Sequence, residues 1–201
     1  MEPKAGLLTF RAEGNDRVNS RHFSRKIHYP GNAGQCASDG SGVTIGRGYD
    51  MGNRTRPQVL NDLIRAGIPV EQAKKIADGA TLRYCEAMKF VKNNREEIGV
   101  ISKESQLKLF ENSYREYALR AEYFYRRRVK NKNKTRWEDL NERIKDVFID
   151  VYYQGLMSIK FAETVSGNDP LAVIRYIEND EKIISYESHR KRIPHLIRGQ
   201  E

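Results

Sequence analysis

Three residues in the first quarter of the chain have the types and spacing for acid–base work on a polar bond: Glu13, Thr44 and Asp50. Thr44 and Asp50 lie in Gly40-Ser-Gly-Val-Thr-Ile-Gly-Arg-Gly-Tyr-Asp-Met-Gly52, where glycines bracket one hydroxyl, one phenol (Tyr49) and one carboxylate. Glycine tolerates positive φ and lets another surface approach the backbone. Glu13 precedes Gly14 at the end of a helix-compatible run from Ala5 to Ala12. The C-terminal end of a helix disfavours negative charge, which raises a carboxyl pKa and suits an acid that must stay protonated. Two carboxyls in unlike environments fit glycosidic hydrolysis. One protonates the leaving oxygen, and the other activates water or stabilises the oxocarbenium-like transition state. Against this stand two plain structural readings, a solvated glutamate at a helix end and a tight turn capped by an aspartate.

The elements that must position these groups follow from periodicity. Val43-Thr44-Ile45 reads as a short strand with Gly46-Arg47-Gly48 as its turn, and a second strand is expected near Arg25–Tyr29. A Gly/Ser/Asp-rich loop fills Gly31 to Ser41 between them. From Thr55 the helical period takes over. Val59, Leu60, Leu63 and Ile64 mark one helix, Val70 to Ala77 a second, and Leu82 to Val91 a third. Ser102 caps the longest run, with Leu107, Phe110, Tyr114, Tyr117, Ala121 and Phe124 on one face. Thr135 and Glu138 have capping-box spacing and are expected to open a helix through Ile144, Phe148 and Val151 to Gln154-Gly155. Ile159–Val165 and a helix capped by Asp169-Pro170, with Leu171, Ile174 and Ile177 inward, precede a basic amphipathic segment from His189 to Gly199. The prediction is an α+β, mostly α fold with an N-terminal helix, a small antiparallel β-sheet and a larger helical lobe. It is a single domain over 1–201, with a β-containing lobe at about 14–55 and a helical lobe at about 56–201.

Composition narrows the partners. A net charge of +9 suits a polyanion: nucleic acid, an anionic membrane surface or the bacterial wall. Residues 126–136 concentrate that charge in a stretch that either grips phosphates or serves as a solvated linker. The two cysteines, Cys36 and Cys85, are too few for a disulfide framework and read more simply as unlinked thiols. No Cys or His spacing suggests zinc, so neither metal nor cofactor is expected. Gly40-x-Gly42-x-x-x-Gly46 lacks the Gly-Lys-Ser/Thr ending of a nucleotide loop. No apolar run approaches the ~18 residues of a membrane span, and the N-terminus has no hydrophobic signal core. Stable membrane insertion is therefore not expected. His189 and His195 stand in basic company, without a ligand role.

Glu13-Gly14, the glycine-rich hairpin and Val43-Thr44-Ile45-Gly46-x-Gly48-Tyr49-Asp50-x-Gly52 together resemble the Glu/Thr/Asp core of phage-type lysozymes (muramidases), most of all the pesticin-like bacterial toxin branch. Phage lysozymes place the aspartate between glutamate and threonine; here it follows Thr44 by six residues, as in the pesticin-like pattern. The gap of thirty-one residues from Glu13 to Thr44 implies an inserted loop at Asn15–Gly40. The Arg-rich end at His189–Gly199 and Asp150-Val-Tyr-Tyr-Gln-Gly155 extend the likeness into the helical half.

The resemblance implies a lysozyme-like fold and cleavage of the β-1,4 bond between N-acetylmuramic acid and N-acetylglucosamine in peptidoglycan. Glu13 would be the general acid, Asp50 the second carboxylate, and Thr44 a holder of the attacking water. Tyr49 and Gln154 would be cleft residues that bind substrate. It further implies a monomer that binds glycan strands and not nucleic acid. As an exported toxin it would need an immunity protein; a phage endolysin is the other setting. Without a signal peptide, delivery to the periplasm would fall to a larger protein or a secretion system. The alternatives are a non-enzymatic basic helical module that binds nucleic acid, and a lysozyme-like chitinase, chitosanase or lytic transglycosylase.

Overall fold

The computed structural model describes residues 1–198, which form a mostly helical α+β protein with one small antiparallel sheet. Gly199, the end of the basic C-terminal segment, lies outside the described residues. The chain divides into two compact units. One runs from Glu13 to Ser113 with Met1–Pro3; the other comprises Lys4–Ala12 and the chain from Tyr114 onward. The division falls inside a helix, so the first helices after the hairpin belong with the sheet.

In the first unit, β1 (Thr44–Ile45) and β2 (Tyr49–Asp50) pair in the register Thr44↔Asp50 and Ile45↔Tyr49. Gly46 and Gly48 turn the chain with φ of 63° and 80°, values that a side chain disfavours. The strand expected at Arg25–Tyr29 shrinks to one residue: His28 exchanges backbone hydrogen bonds with Thr44 at 2.8 and 2.9 Å. The Gly46 N–H, which would face Lys26, donates to the Ser24 carbonyl at 2.7 Å, and Pro30 on the other side has no N–H to offer, so the ladder ends.

Strand alternation sends Ile27, Val43, Ile45, Tyr49 and Met51 to one side, all buried. They form a core with Val59 and Leu63 of α2 (Arg56–Arg65), Ile76 of α3 (Val70–Ala77) and Ala87 and Val91 of α4 (Tyr84–Ile98). Each large apolar side chain buried there contributes about 1.5–3 kcal/mol. A capping box between Thr55 and Gln58 starts α2. Ile64 faces outward instead of joining the core. The 26-residue α5 (Lys103–Arg128) starts where the Ser102 hydroxyl accepts from the Ser105 N–H at 3.0 Å. Cys36 and Cys85 form a disulfide with Cα atoms 4.8 Å apart, so the unlinked-thiol expectation is overturned. Forty-nine residues separate the two, and sequence spacing alone could not show that the loop folds back onto α4.

The second unit holds α1 (Leu7–Ala12), α6 (Glu142–Tyr153), α7 (Ile159–Val165), α8 (Pro170–Asn179), α9 (Glu181–Ser185), α10 (Glu187–Arg190) and α11 (Arg192–Ile197). Thr135 and Glu138 do not open α6. The Thr135 N–H donates to the Ser166 carbonyl, its own carbonyl accepts from the Tyr125 hydroxyl, and a short 3-10 turn follows at Trp137–Asp139. Asn141 then caps α6 by accepting from the Arg143 N–H at 2.9 Å. In α8 the exposed Leu171 contradicts its expected inward place; Val173 lies inward with Ile174 and Ile177.

Candidate active site

The alternation that buries Tyr49 and Met51 turns Asp50 to the other face of the hairpin. Directly opposite stands Thr44, and opposite Thr44 on its other side stands His28. Residues facing one another across antiparallel neighbours share a face, so His28, Thr44 and Asp50 form a row across three chain segments. The Asp50 carboxylate is fixed by backbone: Oδ1 accepts from Gly52 N at 2.7 Å and Oδ2 from Gly42 N at 3.2 Å. Thr44 is nearly buried, and its hydroxyl makes a long contact of 3.4 Å to the Gly42 carbonyl. Desolvation brings the half-buried His28 imidazole down to about pH 4 against the opposing pull of the Asp50 charge, so it is neutral at pH 7.

Glu13 belongs to the same unit and follows α1 directly. Gly14, at φ 142°, ends that helix, and its carbonyl accepts from Arg47 in the hairpin turn. Asn15 exchanges backbone hydrogen bonds with His22 and Ser24, and the Ser24 carbonyl accepts from Gly46 N at 2.7 Å. The segment carrying Glu13 is thus stitched to the turn that connects β1 and β2. The Arg47 guanidinium is nearly buried; desolvation lowers its pKa, and the Asp16 and Glu13 carboxylates oppose that loss of charge. Asp16 is the hub of this network, accepting from Arg25, Arg47 and Gln106.

The structure therefore brings Thr44 and Asp50 together and ties the Glu13 segment to their hairpin. It turns Tyr49 away from that row. Tyr49 faces the core, 3% exposed, and its hydroxyl donates to Asp62 at 2.7 Å. Gln154 lies in the second unit, where its Oε1 accepts from Arg192. His28, Asp16 and Arg47 are the members that sequence reasoning missed. Arg47 stood in view between two turn glycines. The place of His28 depends on pairing with Thr44 sixteen positions away, which no local pattern announces. Among the described residues, no group of His, Cys, Asp and Glu could hold a metal ion. No helix there is long and apolar enough to cross a membrane.

No curated protein matches the chain. A family model matches residues 6–190, nearly the whole of it, and the chain belongs to that family, a domain of unknown function (DUF8812).

Proposed function

We propose that this protein is a muramidase, a glycoside hydrolase that cleaves the β-1,4 bond between N-acetylmuramic acid and N-acetylglucosamine of peptidoglycan. The observation that carries the reading is the Asp50 carboxylate, anchored by two backbone N–H groups directly opposite the Thr44 hydroxyl. A carboxylate so held keeps its position while it takes a proton from, or orients, an attacking water. Thr44 offers that water a second hydrogen bond, and the neutral His28 imidazole beside it adds no competing charge. Glu13 protonates the leaving oxygen. Tyr49, turned into the core, supports the hairpin through Asp62 and does not bind substrate in this scheme. The Cys36–Cys85 disulfide favours an oxidising compartment, in keeping with work on the wall outside the cytoplasm. The +9 charge suits a substrate that bears peptide carboxylates.

The test is clearance of purified peptidoglycan by wild type, Glu13→Gln and Asp50→Asn, each shown to be folded by circular dichroism. Clearance by wild type alone supports the assignment. A fully active Glu13→Gln protein removes Glu13 from its role, and an inert wild type removes the reading itself. Product ends then define the chemistry: a hydrolase leaves a reducing sugar, a lytic transglycosylase an anhydro sugar.

A further inference from the structure

The second unit contains a cavity of 570 Å³ at the C-terminal end of α5, lined by residues that the hydrolytic site does not use. We propose that it is a separate binding site for an anionic wall polymer built of phosphodiester-linked sugar or polyol units. The choice of a wall polymer rests on the proposed muramidase function; the polyanion chemistry does not.

Residues 126–136 contain seven arginines and lysines and no carboxylate. This stretch is a folded wall and not a tether. The Lys134 ammonium donates to the carbonyls of Arg126 and Val129 at 3.1 and 2.8 Å, which closes the end of α5. The Tyr125 hydroxyl holds the Thr135 carbonyl at 2.6 Å, and the Asn131 side chain accepts from the Asn133 N–H at 2.9 Å. The cations divide into two sets. Arg126 is engaged by Glu122 and Glu138, and Arg136 by Asp139. Lys130 and Lys132 line the cavity, are exposed, and have no carboxylate partner among the described residues. Lysine ammoniums on long stems suit a flexible chain of singly charged phosphates better than one fixed carboxylate fork.

The apolar side of the cavity argues against nucleic acid. Trp137 is half-buried, with Tyr125 and Phe148 packed against it at 5.5 and 5.6 Å between centroids, and Tyr125 is itself buried. Tyr123 is exposed but does not line the cavity, and Arg127 lies over its ring. One open aromatic edge among several charges matches a sugar–phosphate or polyol–phosphate chain. Single-stranded nucleic acid uses successive stacking platforms.

Trp137 is the only tryptophan of the chain, so its fluorescence reports on this cavity. Titration of the whole protein with a soluble glycerol-phosphate polymer at low salt should give a saturable change in emission that weakens as salt rises. The double variant Lys130→Glu/Lys132→Glu should bind about tenfold more weakly or worse, with unchanged circular dichroism and melting temperature. No emission change, or equal binding by the double variant, overturns the proposal. So does a single-stranded oligonucleotide of equal charge that binds more tightly and displaces the polymer. Binding is read without turnover, so it separates from the hydrolytic reading: polymer binding by a protein that clears no peptidoglycan upholds a polyanion site while the muramidase falls, and clearance without polymer binding sinks the site alone.

Discussion

The Asp50 carboxylate closes on the backbone of Gly42, eight residues earlier, so tightly that position 42 has no room for a side chain. A Cβ there would lie 2.2 Å from Asp50 Oδ1 and 2.5 Å from the backbone nitrogen of Gly52. Gly42→Ala must therefore expel the carboxylate from its two N–H donors or pry the hairpin open. The expected cost is about 1–3 kcal/mol, as for overpacking elsewhere. Thermal denaturation should show the loss, and peptidoglycan clearance should fall with it. An unchanged melting temperature would mean that the hairpin yields without strain.

His28 makes stability depend on pH. Its pKa is about 4 in the folded protein against an ordinary 6.5, chiefly because folding desolvates it. Between those values the unfolded chain binds more protons than the folded one, so stability rises with pH from about 4 to 6.5 and is lost as pH falls through that window. The half-buried position suggests a loss on the order of 2 kcal/mol. Urea titrations of wild type and His28→Gln at pH 4.5 and 7 check this. The variant should show a smaller difference between the two pH values, and an equal difference would assign the effect to other groups.

Local signals carried much of the helical layout. Val70–Ala77 and Ile159–Val165 begin and end where the sequence puts them, because Pro69, the Ser158 cap and the Ser166-Gly167-Asn168 stop act on their own neighbours. What failed depended on distant partners. Thr135 lost its capping role to hydrogen bonds with Ser166 and Tyr125. The Arg25–Tyr29 strand ended at His28 because the Gly46 N–H turned to Ser24. The Thr44–Asp50 face was legible because a two-residue strand and a glycine turn fix it from within. His28 and the disulfide were not, since each joins segments that only the tertiary fold brings together.

The disulfide closes the Gly31–Ser41 loop against α4, and backbone bonds continue the seam. Arg83 Nε donates to the Gly40 carbonyl at 2.8 Å and the Tyr84 N–H to the Ser41 carbonyl at 3.1 Å. A link across a separation of 49 residues restricts the unfolded chain by about 4 kcal/mol on the loop-entropy model. Cys36→Ser/Cys85→Ser should lower the urea midpoint by a matching amount, and dithiothreitol should do the same to wild type but not to the variant. Equal midpoints with and without reductant would show that the bridge adds nothing.

In the second unit Asp150 is fully buried and bonded by two arginines: Arg190 Nη1 at 2.8 Å and Arg192 Nε at 2.7 Å. Arg192 is fully buried as well, and desolvation lowers its pKa while the Asp150 charge works to retain it. Burial pushes the nearby Glu187 carboxyl up from its ordinary value. Asp150 is thus the buried anion that both guanidiniums contact. Asp150→Asn keeps the shape and removes the buried charge that both guanidiniums contact. Breaking a buried network in this way costs about 3–5 kcal/mol. The exposed pair of Lys75 and Glu97 is the control, since solvent screens it and Lys75→Met should leave the melting temperature where it is. If Asp150→Asn melts with wild type, water reaches the arginines and the network does not hold the second unit together. If it melts far lower while the control does not, the buried Asp150 charge is a main support of Arg190 and Arg192.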